Sequence, residues 1–152
     1  MRIAPLAERP DLVHQVAVWG HGEWGPFDPG STLESRLAHV RESLNVAQIP
    51  ITFVALADDG TAVGTAALIL DDLEGDPRNP WLASVYVPPA HRKRGIASAL
   101  VRAVEDAARR IGHRRLYLFT STAPRLYQSL GWRPLETRDY RGETIQVMDR
   151  TL

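Results

Sequence analysis

Between Pro89 and Ala99 the chain reads Pro-Ala-His-Arg-Lys-Arg-Gly-Ile-Ala-Ser-Ala, a run whose residue types can hold an anion. Arg92, Lys93 and Arg94 supply charge, Gly95 lets backbone approach a ligand closely, and Ala97 and Ser98 are too small to obstruct it. With Ile96 opening a helix, consecutive N–H groups and the positive end of the helix dipole point at the same place, which is how proteins commonly hold phosphate and pyrophosphate. Taken alone, the same composition also describes a solvated basic turn. Two other phosphate loops are excluded by spacing, because there is neither Gly-x-x-x-x-Gly-Lys-Ser/Thr nor Gly-x-Gly-x-x-Gly after a strand. His14, His21, His39, His91 and His113 have no metal-ligand spacing, so no catalytic metal is expected.

The bulk composition narrows the chemistry further. Eighteen Lys and Arg balance eighteen Asp and Glu, so no overall field draws the chain to nucleic acid or an anionic membrane, and any anion site is local. The absence of cysteine removes a thiol nucleophile, a thiolate metal site and a disulfide framework together. With 44% hydrophobic and 24% charged residues in 152, one globular domain spanning 1–152 is expected. No run approaches the ~20 apolar residues of a membrane span, and the N-terminus has no secretion-signal core, so a cytoplasmic location is expected.

The basic run needs a strand before it and a helix after it. Trp81 to Val87 is a strand-like stretch that Pro88 and Pro89 must end, since neither can donate to a ladder. From Gly95 to Ile111, apolar residues at Ile96, Ala97, Leu100, Val101, Val104, Ala107, Ala108 and Ile111 form one helical stripe, which Gly112 closes. Upstream, Arg2 to Leu6 reads as a strand, and Pro10-Asp11 precede a helix through Val13, Val16 and Trp19. Gly20 to Gly30 is expected to be an irregular loop displaying Trp24 and Phe27, and Ser31 or Thr32 to cap a helix carrying Leu33, Leu37, Val40 and Leu44. Asp58-Asp59-Gly60 between ITFVALA and TAVGTAALIL predicts a hairpin, and an acidic loop follows from Asp71 to Pro80. Arg115 to Thr120 reads as a strand, Pro124 to Leu130 as a short helix closed by Gly131, and Trp132 to Arg138 with Thr144 to Arg150 as a final pair around Arg141-Gly142. The sum is about seven strands and four helices in a mixed α/β (α+β) sheet.

In this setting Arg92-x-x-Gly95-x-Ala97 after WLASVYVPP resembles the acetyl-CoA signature of the GNAT superfamily of N-acyltransferases. LYLFTSTAPRLYQSLGW resembles that family's next strand and short helix, with Leu126-Tyr127-Gln128-Ser129-Leu130-Gly131-Trp132 matching its ending. The resemblance is strong from Trp81 to Arg138 and rests on element order alone upstream. It implies a GNAT-like, mostly antiparallel sheet flanked by helices, with acetyl-CoA as co-substrate. Val85, Tyr86 and Val87 would pair with the pantetheine arm, and Arg92 through Ser98 would surround the pyrophosphate. Tyr127 aligns with the residue that protonates the departing thiolate, a role suited to a phenol of pKa near ~10. Thr120, Ser121 and Thr122 stand where many members carry asparagine, so a hydroxyl or a water takes over that contact.

The implied reaction is direct acetyl transfer to a primary amine in a ternary complex, with no covalent enzyme intermediate. Candidates for the base are Glu23, Asp71, Asp72, Glu74, Ser84 as a water holder, His21 and His91. Glu23, Trp24 and Phe27 beside the acidic loop would suit a cationic amine, small molecule or peptide. Equally, these aromatics could pack on the sheet edge. The competing reading is a non-catalytic acetyl-CoA sensor or docking module of the same fold. Neither nucleic acid nor membrane is an expected partner, and an edge strand near the C-terminus offers a surface for a homodimer.

Overall fold

Period-2 patterning divides each central strand between two cores. In the computed structural model, which describes residues 1–152, strand β2 (Ile51–Leu56) sends Ile51, Phe53 and Ala55 to one face and Val54 and Leu56 to the other. The other strands are β1 (Arg2–Pro5), β3 (Ala62–Ile69), β4 (Trp81–Tyr86), β5 (Arg115–Thr120), β6 (Arg133–Tyr140) and β7 (Glu143–Thr151). They form one seven-stranded sheet in the order β1-β2-β3-β4-β5-β7-β6. Every neighbouring pair is antiparallel except β4 and β5. That mixed, mostly antiparallel sheet with four α-helices is the expected architecture.

Helix α3 (Ile96–Ile111) buries Ile96, Leu100, Val101, Val104, Ala107 and Ala108 on one face of the sheet. Gly64 of β3 makes that approach possible, because a Cβ there would lie 3.0 Å from side-chain atoms of Ile96 and Leu100 and 3.2 Å from the Tyr86 carbonyl. The opposite face is covered by α1 (Val13–Trp24), by α2 (Leu33–Glu42) and by the 71–80 loop. Leu73 of that loop, only 2% exposed, packs with Trp81, Ile145 and Val147.

The glycine-rich segment differs from the loop its composition suggests. Gly20 to Trp24 continue α1 as helix, and only Gly25 onward leaves it, through a 3-10 turn over Gly25–Phe27. Glycine costs a helix interior ~1 kcal/mol relative to alanine. Packing of the helix's inner face offsets it here, with Val13, Val16, Ala17 and Gly20 all buried. Thr32 caps α2 as expected, but the reciprocal partner is Ser35. The Ser35 N–H donates to the Thr32 hydroxyl at 3.0 Å, and the Thr32 N–H donates to the Ser35 hydroxyl at 2.9 Å.

Candidate active site

Strands β4 and β5 share one paired position, Trp81 with Tyr117, and then separate. From Leu82 onward the β5-facing backbone edge of β4 is therefore free of a strand partner. The other edge is irregular too. Thr65 pairs with Tyr86 and Ala67 with Ala83, so Ser84 and Val85 together oppose Ala66 in a β-bulge, with Ser84 at φ +57°. A cavity of about 1480 Å³ runs through this break in the sheet.

One half of the cavity is built by the expected anion-binding run. Gly95 has φ +79° and ψ +10°, and a Cβ placed there would meet no atom within 4 Å. Only glycine adopts this left-handed turn without strain, and the space beside it is open. Val85, Tyr86, Val87, Arg92, Lys93, Ile96, Ala97 and Ser98 line the same half, whereas Arg94 is exposed and does not. Arg92 is held by the end of the preceding strand segment, donating from Nε to the carbonyl of Val87, the residue just past β4, at 2.9 Å, and its guanidinium lies 6.0 Å from the Tyr86 ring centre.

Tyr127, on α4 (Pro124–Ser129), forms part of the facing wall. It is 7% exposed, and burial alone pushes its phenol up to about 12. Its ring stands 6.2 Å from that of Trp132, edge to face, and the Trp132 indole N–H donates to Oε2 of the buried Glu105 at 3.1 Å. The β5–α4 connection is shaped by Thr120, whose Oγ1 accepts from the Ala123 N–H at 3.0 Å and the Thr122 N–H at 3.3 Å. Thr120, Ser121 and Thr122 all line the cavity.

The other half holds Glu23, Trp24, Phe27, Asp71 and Asp72, bringing the aromatic segment and the acidic loop together as the sequence suggests. Ser84 and His91 also line the cavity, but Glu74 and His21 do not. Trp24 packs edge-on to Tyr86 at 6.4 Å, so one ring serves both as cavity wall and as sheet cover. Two guanidiniums that sequence reasoning missed, Arg36 and Arg141, stand among these acids. Arg36 lies 5.9 Å from the Trp24 ring centre and 4.0 Å from Asp28, and burial lowers its pKa. Arg141 pairs with Asp28 at 3.2 Å and with Glu74 at 3.0 Å. Asp72, half-buried, carries its carboxyl at about 7: desolvation raises it, against the pull of Arg36 and Arg141. Neither arginine is marked in the sequence, since one sits on an ordinary amphipathic helix and the other in a hairpin turn.

The fold is shared with solved acetyltransferases. The chain is similar to yncA from Salmonella typhimurium, solved with its cofactor acetyl-CoA, at 21% identity and TM-score 0.73 over 99% of this chain and 93% of that one. It is similar to an acetyltransferase of the GNAT family from Streptococcus pneumoniae at 16% identity and TM-score 0.73, covering 99% of both chains. An aminoglycoside 6'-acetyltransferase type Ii matches at 21% identity and TM-score 0.73 over 99% of this chain and 97% of that one. No curated protein matches the sequence. The model of the acetyltransferase (GNAT) family matches residues 21–132, most of the chain and both motif segments, and the protein belongs to that family.

Proposed function

We propose that residues 1–152 work as one acetyl-CoA-dependent N-acetyltransferase domain, moving an acetyl group to a primary amine by direct transfer in a ternary complex. The observation that carries this reading is the convergence on one cavity of an open left-handed glycine turn at a helix start, an unpaired strand edge, and a buried phenol on the facing wall. The residues present fit the co-substrate. The free backbone of Val85, Tyr86 and Val87 suits an amide-bearing pantetheine arm, which would add the hydrogen bonds that β5 leaves unmade. Arg92, Lys93 and the N–H groups from Gly95 to Ser98 suit a pyrophosphate, with Arg94 adding charge from outside the wall.

Acetyl-CoA would supply the activated acyl group, and the chain's own residues would supply position and protons. Tyr127 stays protonated throughout the neutral range because burial disfavours its phenolate, so it is always able to donate to a departing thiolate. The separated strands would let the amine reach the acyl carbon from the side opposite the cofactor arm.

Calorimetric titration with acetyl-CoA, CoA and 3′-dephospho-CoA tests the cradle without a known acceptor. Micromolar binding of acetyl-CoA is expected, followed by amine-dependent release of free thiol. Binding without thiol release for any amine would support the sensor reading instead, and absence of binding would overturn the assignment.

A further inference from the structure

We propose that Asp72 is the proton acceptor for the incoming ammonium, an inference that rests on the acetyl-transfer reading above. It lines the half of the cavity away from the glycine turn, in the loop after β3. Its neighbour Leu73 anchors that loop by packing with Trp81, Ile145 and Val147 beneath the sheet, so the carboxyl is held at the cavity rather than carried on a free loop. The charged groups that act on it are Arg36 from α2 and Arg141 from the β6–β7 turn, while Asp28 of the α1–α2 connection and Glu74 of its own loop face those arginines, and Asp71 is its chain neighbour. The arginines are committed elsewhere, Arg141 to Asp28 and Glu74 and Arg36 toward Asp28. They act on Asp72 through charge alone, with no hydrogen bond to its carboxyl, which faces the cavity unpartnered.

The other acids fit less well. Asp71 and Glu23 are exposed, Asp28 is shared between two guanidiniums, and Glu74 is 77% exposed and outside the cavity. A group that titrates near 7 is matched to taking a proton at neutral pH and releasing it to solvent afterwards. In the step proposed, the ammonium gives one proton to an Asp72 oxygen. The freed lone pair forms the C–N bond at the thioester carbonyl as the C–S bond breaks. A second N–H proton replaces the one that the Tyr127 phenol gives to sulfur, leaving an amide, a free thiol and one proton on Asp72.

The test compares ethylamine with 2,2,2-trifluoroethylamine, similar in size but already neutral at pH 7, as acceptors for wild type and Asp72→Asn. Thiol release is read over pH 5.5–9.5 and corrected for the uncatalysed reaction. The variant is expected to lose about 100-fold in kcat/KM with ethylamine and to be nearly unaffected with the neutral amine. Equal loss with both amines, or no loss with either, overturns the proposal. Independently of turnover, ¹³C NMR of labelled aspartate carboxyls should show one group titrating near pH 7, absent in Asp72→Asn and shifted to higher pH in Arg36→Leu. If no aspartate titrates above about pH 5, Asp72 is not the acceptor. An Asp72 that titrates near 7 in a wild type that binds acetyl-CoA yet releases no thiol above background with any amine refutes the acetyl-transfer reading, and the base assignment falls with it.

Discussion

Gly95→Val separates the cradle from the fold that carries it. Gly95 sits at φ +79°, where a side chain incurs about 1–2 kcal/mol of backbone strain, and a β-branched one the upper end of that range. Apart from its chain neighbours, no protein atom lies within 4 Å of the added Cβ, so backbone strain is the main cost to the unliganded protein. For a chain of this size that is a fall in Tm of about 4–8 °C. The open space is where the pyrophosphate would approach the backbone, and filling it should weaken acetyl-CoA about 100-fold, near 2.7 kcal/mol. Gly112→Val is the matched control. It too has a left-handed glycine, at φ +109° with nothing within 4 Å of a Cβ, but it closes the opposite end of α3, away from the cavity. Calorimetric Kd values and scanning calorimetry on both variants decide the matter. If Gly95→Val binds acetyl-CoA within about threefold of wild type, the phosphates lie elsewhere; if Gly112→Val weakens binding equally, helix strain and not the cradle is responsible.

Tyr127→Phe should lower kcat by about 100-fold while leaving the acetyl-CoA Kd and Tm near wild type, because the phenol makes no hydrogen bond that stabilises the fold. With its pKa raised to about 12, Tyr127 should also produce no alkaline inflection in kcat below about pH 10, and an inflection there that vanishes in the variant would show the environment to be misread. Glu105→Leu should be destabilising by about 1–3 kcal/mol, since it removes the 1%-exposed carboxylate that pairs with Arg102 at 2.8 Å and Arg150 at 3.9 Å and leaves the buried Trp132 indole N–H, now 3.1 Å from it, without a partner. Denaturant unfolding measures it, and a loss under 1 kcal/mol would mean the buried cluster contributes little. Asp76, hydrogen-bonded by Arg78, has its pKa lowered to about 2, so its stabilising effect is present above about pH 4 and is lost as pH falls toward 2. Asp76→Asn should flatten the fall in Tm across that acid window, and an unchanged slope would remove Asp76 from acid unfolding.

What could be read from the sequence was whatever local rules decide. The stripe from Ile96 to Ile111 gives α3 with its boundaries, because eight apolar residues at helical spacing leave a single buried face. Asp58-Asp59-Gly60 marks the β2–β3 hairpin because Gly60, at φ +85°, supplies the conformation that turn requires. The glycines of α1 misled for the converse reason: propensity counts them against helix, and burial of the α1 face that carries Val13 and Val16, a tertiary effect, overrides it. The same distinction divides the candidate site. The half that would face the phosphates comes from one continuous segment, Val85 to Ser98, and is visible as a motif. The acceptor half is assembled from α1, α2, the 71–80 loop and the β6–β7 turn, so the charges that set Asp72 belong to no pattern along the chain.

Three residues other than glycine have positive φ: Ser84 at +57°, Lys93 at +65° and Arg141 at +50°. All three line the cavity. Each costs about 1 kcal/mol or more that a glycine would avoid; Arg141 takes it because the two-residue turn it forms with Gly142, between the paired Tyr140 and Glu143, requires positive φ at both positions, whereas no hairpin turn requires it of Ser84 or Lys93. Ser84 turns β4 out of register with β3, which aims its edge into the cavity, Lys93 bends the chain from the end of β4 back toward the start of α3, and Arg141 turns the hairpin that brings its guanidinium to Asp28. Together with the single β4–β5 pairing, they place unpaired backbone and side-chain charge around one opening in an otherwise regular sheet. The departures from local preference are concentrated where a ligand could use them, as expected when a fold gives up stability to shape a site.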